Sequence, residues 1–274
     1  MDTKKVPLGA STLGFRHDPL DVALDEIAAQ GFHLIDIAMY PSYRPHFHAL
    51  AASADNKRAL AADLERRELK IAALNASDGL LGRPRQREHA MAYARASLRL
   101  ARDLGAYGVT MQSGVEPPPG QWLSVARGVA NDLRALGDDA ANLGLELTLE
   151  LHKSMLMARQ REALDLMALV DHPAVGVTLG PSHATYAGEN VATIARALDS
   201  LVKHVHLRDA RGQDIMVVPG DGEVDFAELA AALGEIGYDR AAVIELEYAA
   251  ARAPDVRPDL AWAKAFLSDQ FVAV

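Results

Sequence analysis

The chain has 274 residues, half of them hydrophobic, enough for one large core or two small ones. Its net charge of −9 and pI near 5.6 argue against a nucleic-acid backbone as partner. It contains no cysteine, which excludes disulfide and thiolate chemistry, and no apolar run approaches the roughly 18 residues of a membrane span. The opening Met1-Asp-Thr-Lys-Lys-Val-Pro lacks the apolar stretch of a secretory signal, so a cytoplasmic protein is expected.

In chain order, short apolar runs predict strands at 6–12, 34–40, 70–76, 108–113, 146–152, 175–180, 202–208 and 241–247. Amphipathic stretches between them predict helices at 19–30, 55–68, 86–104, 118–143, 159–170, 190–200, 225–236 and 258–270. Gly31, Gly105, Gly144 and Gly237 each follow a helical stretch and precede an apolar run, the punctuation of an αβ turn. Eight βα units predict an α/β fold, a single (β/α)₈ barrel over residues 1–274. An open doubly wound sheet is the alternative. The first loop, Leu8-Gly-Ala-Ser-Thr-Leu-Gly14, does not have the spacing of a dinucleotide fingerprint.

In a barrel, function gathers at the C-terminal strand ends. Here those ends are polar. The run Val202-Lys-His-Val-His-Leu-Arg-Asp209 carries His204 and His206 on one strand face, with Arg208 and Asp209 at the edge. Glu150 and His152 close strand five, His183 follows strand six in a Gly-Pro turn, and Glu245 and Glu247 alternate along strand eight. A carboxylate at such a place binds a divalent cation, moves a proton, or is a solvated strand end. An imidazole between apolar neighbours, as at His206, is a metal ligand or a hydrogen-bonded core residue. His204 lies one layer deeper and reads as structural. Arg208 and Asp209 hold a substrate hydroxyl, a phosphate or each other. Asp36, Tyr40, His46, His48, Asn75 and Gln112 read as rim residues, with His46 and His48 in a loop that is a lid or a subunit contact. The acidic Gly-rich segment 220–226, with Asp225 as helix N-cap, reads as a turn shaping the edge of the site.

Leu149-Glu150, the turn 179–183, the His204–Asp209 run, segment 220–226 and Ile244-Glu245 together resemble the xylose isomerase-like barrel superfamily of sugar phosphate isomerases and epimerases, inosose dehydratases and abasic-site endonucleases. The resemblance spans nearly the whole chain. It implies one divalent metal ion (Mn, Zn, Co or Mg), held by a Glu, an Asp, a His and a Glu on strands five to eight. The matching positions are Glu150, Gly180, His206 and Glu245. Gly180 departs from the pattern, because glycine has no ligating side chain. His183 is the expected replacement ligand, ahead of an open position or loss of the metal.

The implied chemistry is isomerisation or epimerisation of a sugar, keto-sugar or polyol through an enediolate, with Glu150 and Glu245 as bases. His152, Arg208, Asp209, Glu247 and His46 are the expected substrate-binding residues. A β-eliminating dehydratase on a keto-sugar or keto-inositol is the alternative, and a metal-depleted, non-catalytic barrel a further one. The expected partner is a small carbohydrate, with no nucleic acid and no membrane, in a homodimer or homotetramer.

Overall fold

The computed structural model describes residues 6–41, 43, 45–77, 81–248 and 255–273. Positions 42 and 44 of the expected lid loop lie outside the described residues. The strands are β1 (Pro7–Ser11), β2 (Leu34–Ala38), β3 (Lys70–Asn75), β4 (Gly108–Gln112), β5 (Glu146–Glu150), β6 (Val175–Leu179), β7 (Val202–Leu207), β8 (Asp209–Arg211), β9 (Asp214–Val217), β10 (Ala242–Ile244) and β11 (Val272–Ala273). Strands β1 to β7 pair in sequence order, all parallel, and β10 joins β7 to β1. The register Leu8↔Ala242, Gly9↔Val243 and Ala10↔Ile244 closes the ring. The fold is a closed eight-stranded parallel barrel with flanking helices, as the alternation of apolar and amphipathic runs predicts.

The helices are α1 (Leu20–Ala29), α2 (Ala54–Arg66), α3 (Arg87–Leu104), α4 (Trp122–Asn142), α5 (Gln160–Val170), α6 (Pro181–Tyr186), α7 (Val191–Leu198), α8 (Phe226–Glu235) and α9 (Val256–Leu267). In α3, Ala90, Met91, Ala94, Leu98 and Ala101 recur at helical spacing and are buried, so this stripe covers the barrel. The helix stops at Gly105, whose φ of 71° is the left-handed conformation that lets the chain turn into β4.

Three short elements escape the periodicity. Pro181 opens α6, so His183 sits on a helical turn rather than in the predicted loop. The β8–β9 hairpin and β11 are too short to leave a periodic signal. Strand β10 ends at Ile244, but the Glu245 N–H still bonds Leu207 O at 3.1 Å and carries the ladder one step further. Inside the barrel, the hydroxyls of Thr110, Thr178 and Thr148 bond one another at 2.8 and 2.7 Å, a satisfied polar layer beneath the mouth.

Candidate functional site

Four strands bring five buried ionisable groups to the mouth. Glu150 ends β5, His206 lies on β7, Glu245 follows β10, and Asp36 lies on β2 with His204 opposite. All five are buried, His206 to 1% exposure. His206 is held between carboxylates. Its Nδ1 donates to Glu150 Oε1 at 2.9 Å and lies 3.5 Å from Glu245 Oε1. Its Nε2 donates to Asp36 Oδ2 at 3.2 Å.

Charge explains the protonation pattern. Burial alone pushes the Glu150 carboxyl up, but the hydrogen bond and charge of His206 outweigh it and hold the group well below the usual carboxylate range. Burial pushes Glu245 up to about 7; His206 opposes this, and the Glu150 charge adds to it. Burial disfavours the His206 cation, yet the Glu245 charge and the bonds to Asp36 and Glu150 raise its pKa well above the ordinary value. Glu245 is therefore the carboxylate left without full charge compensation. Its Oε1 also accepts from Asn75 Nδ2 at 2.8 Å, and Tyr40 OH donates to Asn75 Oδ1 at 2.6 Å.

Beside this cluster lies a cleft of about 230 Å³ lined by residues including Leu13, Tyr40, Tyr43, Gln112, Glu150, His152, Arg208, Glu245 and Glu247. Buried Arg208 spans its wall. The guanidinium bonds Glu247, donates to Ser182 Oγ at 3.2 Å and to His183 Nε2 at 2.8 Å, and lies 3.8 Å from Glu245 Oε2. The His183 ring lies against His152, tilted by 39°, with centroids 3.9 Å apart. Burial pushes both imidazoles below their ordinary pKa, His183 the further, with the His152 and Arg208 charges adding there.

Whether these residues suit a metal is decided by the donor set. Glu150, His206 and Glu245 offer ligand atoms within 4.8 Å of one another, all buried. Two carboxylates and an imidazole are donors for Zn²⁺, Mn²⁺ or Co²⁺. A cation there would supply the charge that Glu245 lacks, so the set fits. His183 falls in a different group, with Glu150 and His152. Its Nε2 lone pair is directed at the Arg208 guanidinium, so in this arrangement it serves Arg208 rather than the group formed by Glu150, His206 and Glu245.

The other expected site residues divide. His152, Arg208 and Glu247 line the cleft. Asp209 is buried and its carboxylate faces inward, accepting backbone N–H bonds from Ala210 at 2.8 Å and from Gly220, Gly222 and Val224 at 3.0 Å. A Cβ at Gly222 would stand 2.2 Å from Asp209 Oδ1, so glycine is required for this approach. His46 uses both ring nitrogens to staple loops. Nε2 donates to Phe15 O at 3.1 Å and Asp18 O at 3.2 Å, and Nδ1 lies 2.9 Å from the Thr12 hydroxyl. Neither Asp209 nor His46 lines the cleft. Ser182, Tyr43 and Leu13 were not legible as site residues; only their places after strand ends could have signalled them.

A closed parallel barrel whose mouth gathers buried carboxylates and histidines beside a polar cleft defines the class. The xylose isomerase-like TIM barrel family model matches residues 24–266, and the chain belongs to that family. An inosose dehydratase of Lacticaseibacillus casei is 28% identical over 143 residues, covering 46% of this chain and 48% of that protein. The chain thus spans about half the length of such curated relatives in the match. A D-tagatose 3-epimerase-like protein shares the fold with a TM-score of 0.81 at 22% identity, covering 97% of both chains. The zinc-bound IolI protein superposes with a TM-score of 0.80 at 19% identity, covering 97% of this chain and 100% of that one. Among the described residues, no helix is long and apolar enough to cross a membrane.

Proposed function

We propose that the protein is a divalent-metal-dependent isomerase or epimerase acting on a sugar, keto-sugar or polyol. The observation that carries this is the convergence of Glu150, His206 Nδ1 and Glu245 on one point beside the cleft. Zinc in the IolI neighbour supports a metal here. When bound, the metal would polarise a substrate carbonyl and lower the pKa of the adjacent C–H.

The protein's own residues divide the remaining work. Glu150 and Glu245 reach the same space from β5 and β10, so one carboxylate takes the proton from the carbon beside the carbonyl and the other returns one. Return to that carbon from the other face inverts it; return to the neighbouring carbon interconverts aldose and ketose. Arg208, fixed by Glu247, Ser182 and His183, offers guanidinium N–H groups to substrate oxygens as negative charge develops. His152 and Tyr40 line the cleft as further hydrogen-bonding groups. His183, which accepts from Arg208, lies in ring contact with His152, so the two imidazoles help to fix the guanidinium at the cleft wall.

The dehydratase reading shares the first proton abstraction and ends with loss of a β-hydroxyl as water. Inosose dehydratases among the relatives favour it. The test is a screen of ketoses, 3-keto-sugars and inososes with Mn²⁺, Zn²⁺, Co²⁺ and Mg²⁺, with products identified by NMR. A stereoisomer or aldose supports the isomerase reading, and an unsaturated or dehydrated product selects the lyase. If Glu150→Gln and Glu245→Gln both kept full turnover on an identified substrate, both readings would fall.

A further inference from the structure

A buried carboxylate with both oxygens engaged lies beside the proposed ligands. Asp36 has no measurable exposure, and both its oxygens are engaged. Oδ1 accepts the Ala73 N–H at 2.9 Å. Oδ2 accepts from His204 Nε2 at 2.7 Å and from His206 Nε2 at 3.2 Å.

The backbone is irregular where this group is seated. The β2–β3 register passes from Ile35↔Ile71 to Asp36↔Ala73, so Ala72 has no partner in β2 and the Ala73 N–H turns to the Asp36 side chain. The β6–β7 register passes from Val177↔Val202 to Thr178↔His204, skipping Lys203. Such irregularities bend a strand and re-aim its side chains. Both adjoin the same carboxylate–imidazole set. The His204 and His206 rings meet edge to face, with centroids 5.0 Å apart, so each restricts the rotation of the other.

We infer that Asp36 is the positioning residue of the proposed metal centre: by taking the His206 Nε2–H it leaves Nδ1 as the nitrogen that faces Glu150 and Glu245. The inference rests on the metal reading above and deepens it. An imidazole turned over about its Cβ–Cγ bond would place Cδ2 where Nδ1 faces the two glutamates and Cε1 where Nε2 meets Asp36, so Oδ2 would keep only the His204 donor. Carboxylates bonded behind a ligating histidine fix its tautomer and ring orientation, and their loss typically costs 10–100-fold in metal affinity. His204 takes the second place on Oδ2 and holds the carboxylate against rotation. A plain structural role, pinning β2 to β7, would affect folding and leave ligand choice alone.

The test uses Zn²⁺ as probe, with wild type, Asp36→Asn and His204→Gln. Affinity is read by competition with a chromogenic chelator, and the ring nitrogens of His206 by long-range ¹H–¹⁵N correlation in the loaded protein. The expected result is Zn²⁺ on Nδ1 with a proton on Nε2 in wild type, and affinity about 10–100-fold weaker in Asp36→Asn with the unfolding midpoint of the metal-free protein retained. Zn²⁺ on Nε2 in wild type overturns the inference whatever the variants do, including variants that fail to fold. Wild-type affinity in a folded Asp36→Asn also overturns it and leaves the metal reading standing. Wild type that binds no Zn²⁺ removes the metal reading and this inference together.

Discussion

Glu150 and Glu245 share one imidazole nitrogen. His206 Nδ1 lies 2.9 Å from Glu150 Oε1 and 3.5 Å from Glu245 Oε1. The two carboxylates are nonetheless unequal, because His206 holds Glu150 low while burial carries Glu245 up to about 7. A single ring nitrogen can give its proton to only one of them at short range, and Glu150 has it.

This inequality would make the proposed metal binding pH-dependent in a definite direction. Ligands must be deprotonated, so binding a cation releases the proton that Glu245 carries below about 7 and the one that His206 carries with its raised pKa. Above pH 7 the Glu245 proton is already gone and only that of His206 is displaced. Affinity for Mn²⁺ or Zn²⁺ is therefore expected to rise with pH, more steeply below 7 than above. Calorimetry in buffers of different ionisation enthalpy counts the protons. An affinity independent of pH from 5.5 to 8 would contradict this assignment.

Neutralising either proposed base without changing its size separates chemistry from binding. Glu150→Gln and Glu245→Gln are each expected to lower kcat by about 10²–10⁴-fold. The scale is that of a positioned proton-transfer group. Elemental analysis and stopped-flow kinetics on the substrate found by the screen check the pair. Loss of activity with metal retained assigns the effect to proton transfer, whereas parallel loss of both assigns it to ligation alone.

The barrel was legible because its signals are periodic and long. Eight apolar runs alternating with amphipathic ones survive any error of a residue or two at their boundaries. The clustering of the candidate site was legible where a polar residue interrupts or ends an apolar strand, as at Glu150, His206 and Glu245. It was illegible where a role depends on what lies across the barrel. Asp36 read as one rim residue among several, and only closure of the sheet brings it to His204 and His206, more than 160 residues away. Asp209 and His46 carried the right chemistry for substrate binding, but folding turns their polar atoms toward backbone groups. Sequence gives the residue type, whereas direction comes from strand register and loop closure.

The Asp209 geometry predicts a loop defect. Its carboxylate accepts four backbone N–H bonds, three of them from Gly220, Gly222 and Val224 in the segment leading to α8. Asn has one acceptor oxygen and would aim an N–H₂ at donors, leaving buried N–H groups unsatisfied at about 1–3 kcal/mol. Asp209→Asn is expected to lower stability by that order and to speed amide exchange at 220, 222 and 224 ahead of the rest of the chain. Exchange unchanged at these amides would mean that the loop is held by other contacts.

Gly180 offers the most direct test of the departure from the family pattern at the proposed metal site. Its φ of −118° is open to any residue, so backbone strain is not the obstacle. A Cβ built there would stand 3.0 Å from His183 Cδ2 and 3.7 Å from Glu150 Oε1. Gly180→Asp therefore presses on the His183 ring that Arg208 holds, and adds a carboxylate beside Glu150. Overpacking costs about 1–3 kcal/mol, and like charge in a buried place adds to it while no cation is present. The expected outcome is a lower unfolding midpoint for the metal-free protein and tighter binding of Mn²⁺ or Zn²⁺. Gly180→Ala carries the steric cost alone and should lower the midpoint without changing affinity. Calorimetry on both variants distinguishes the two effects. An Asp variant that binds metal no more tightly than the Ala variant would show that position 180 does not reach the metal.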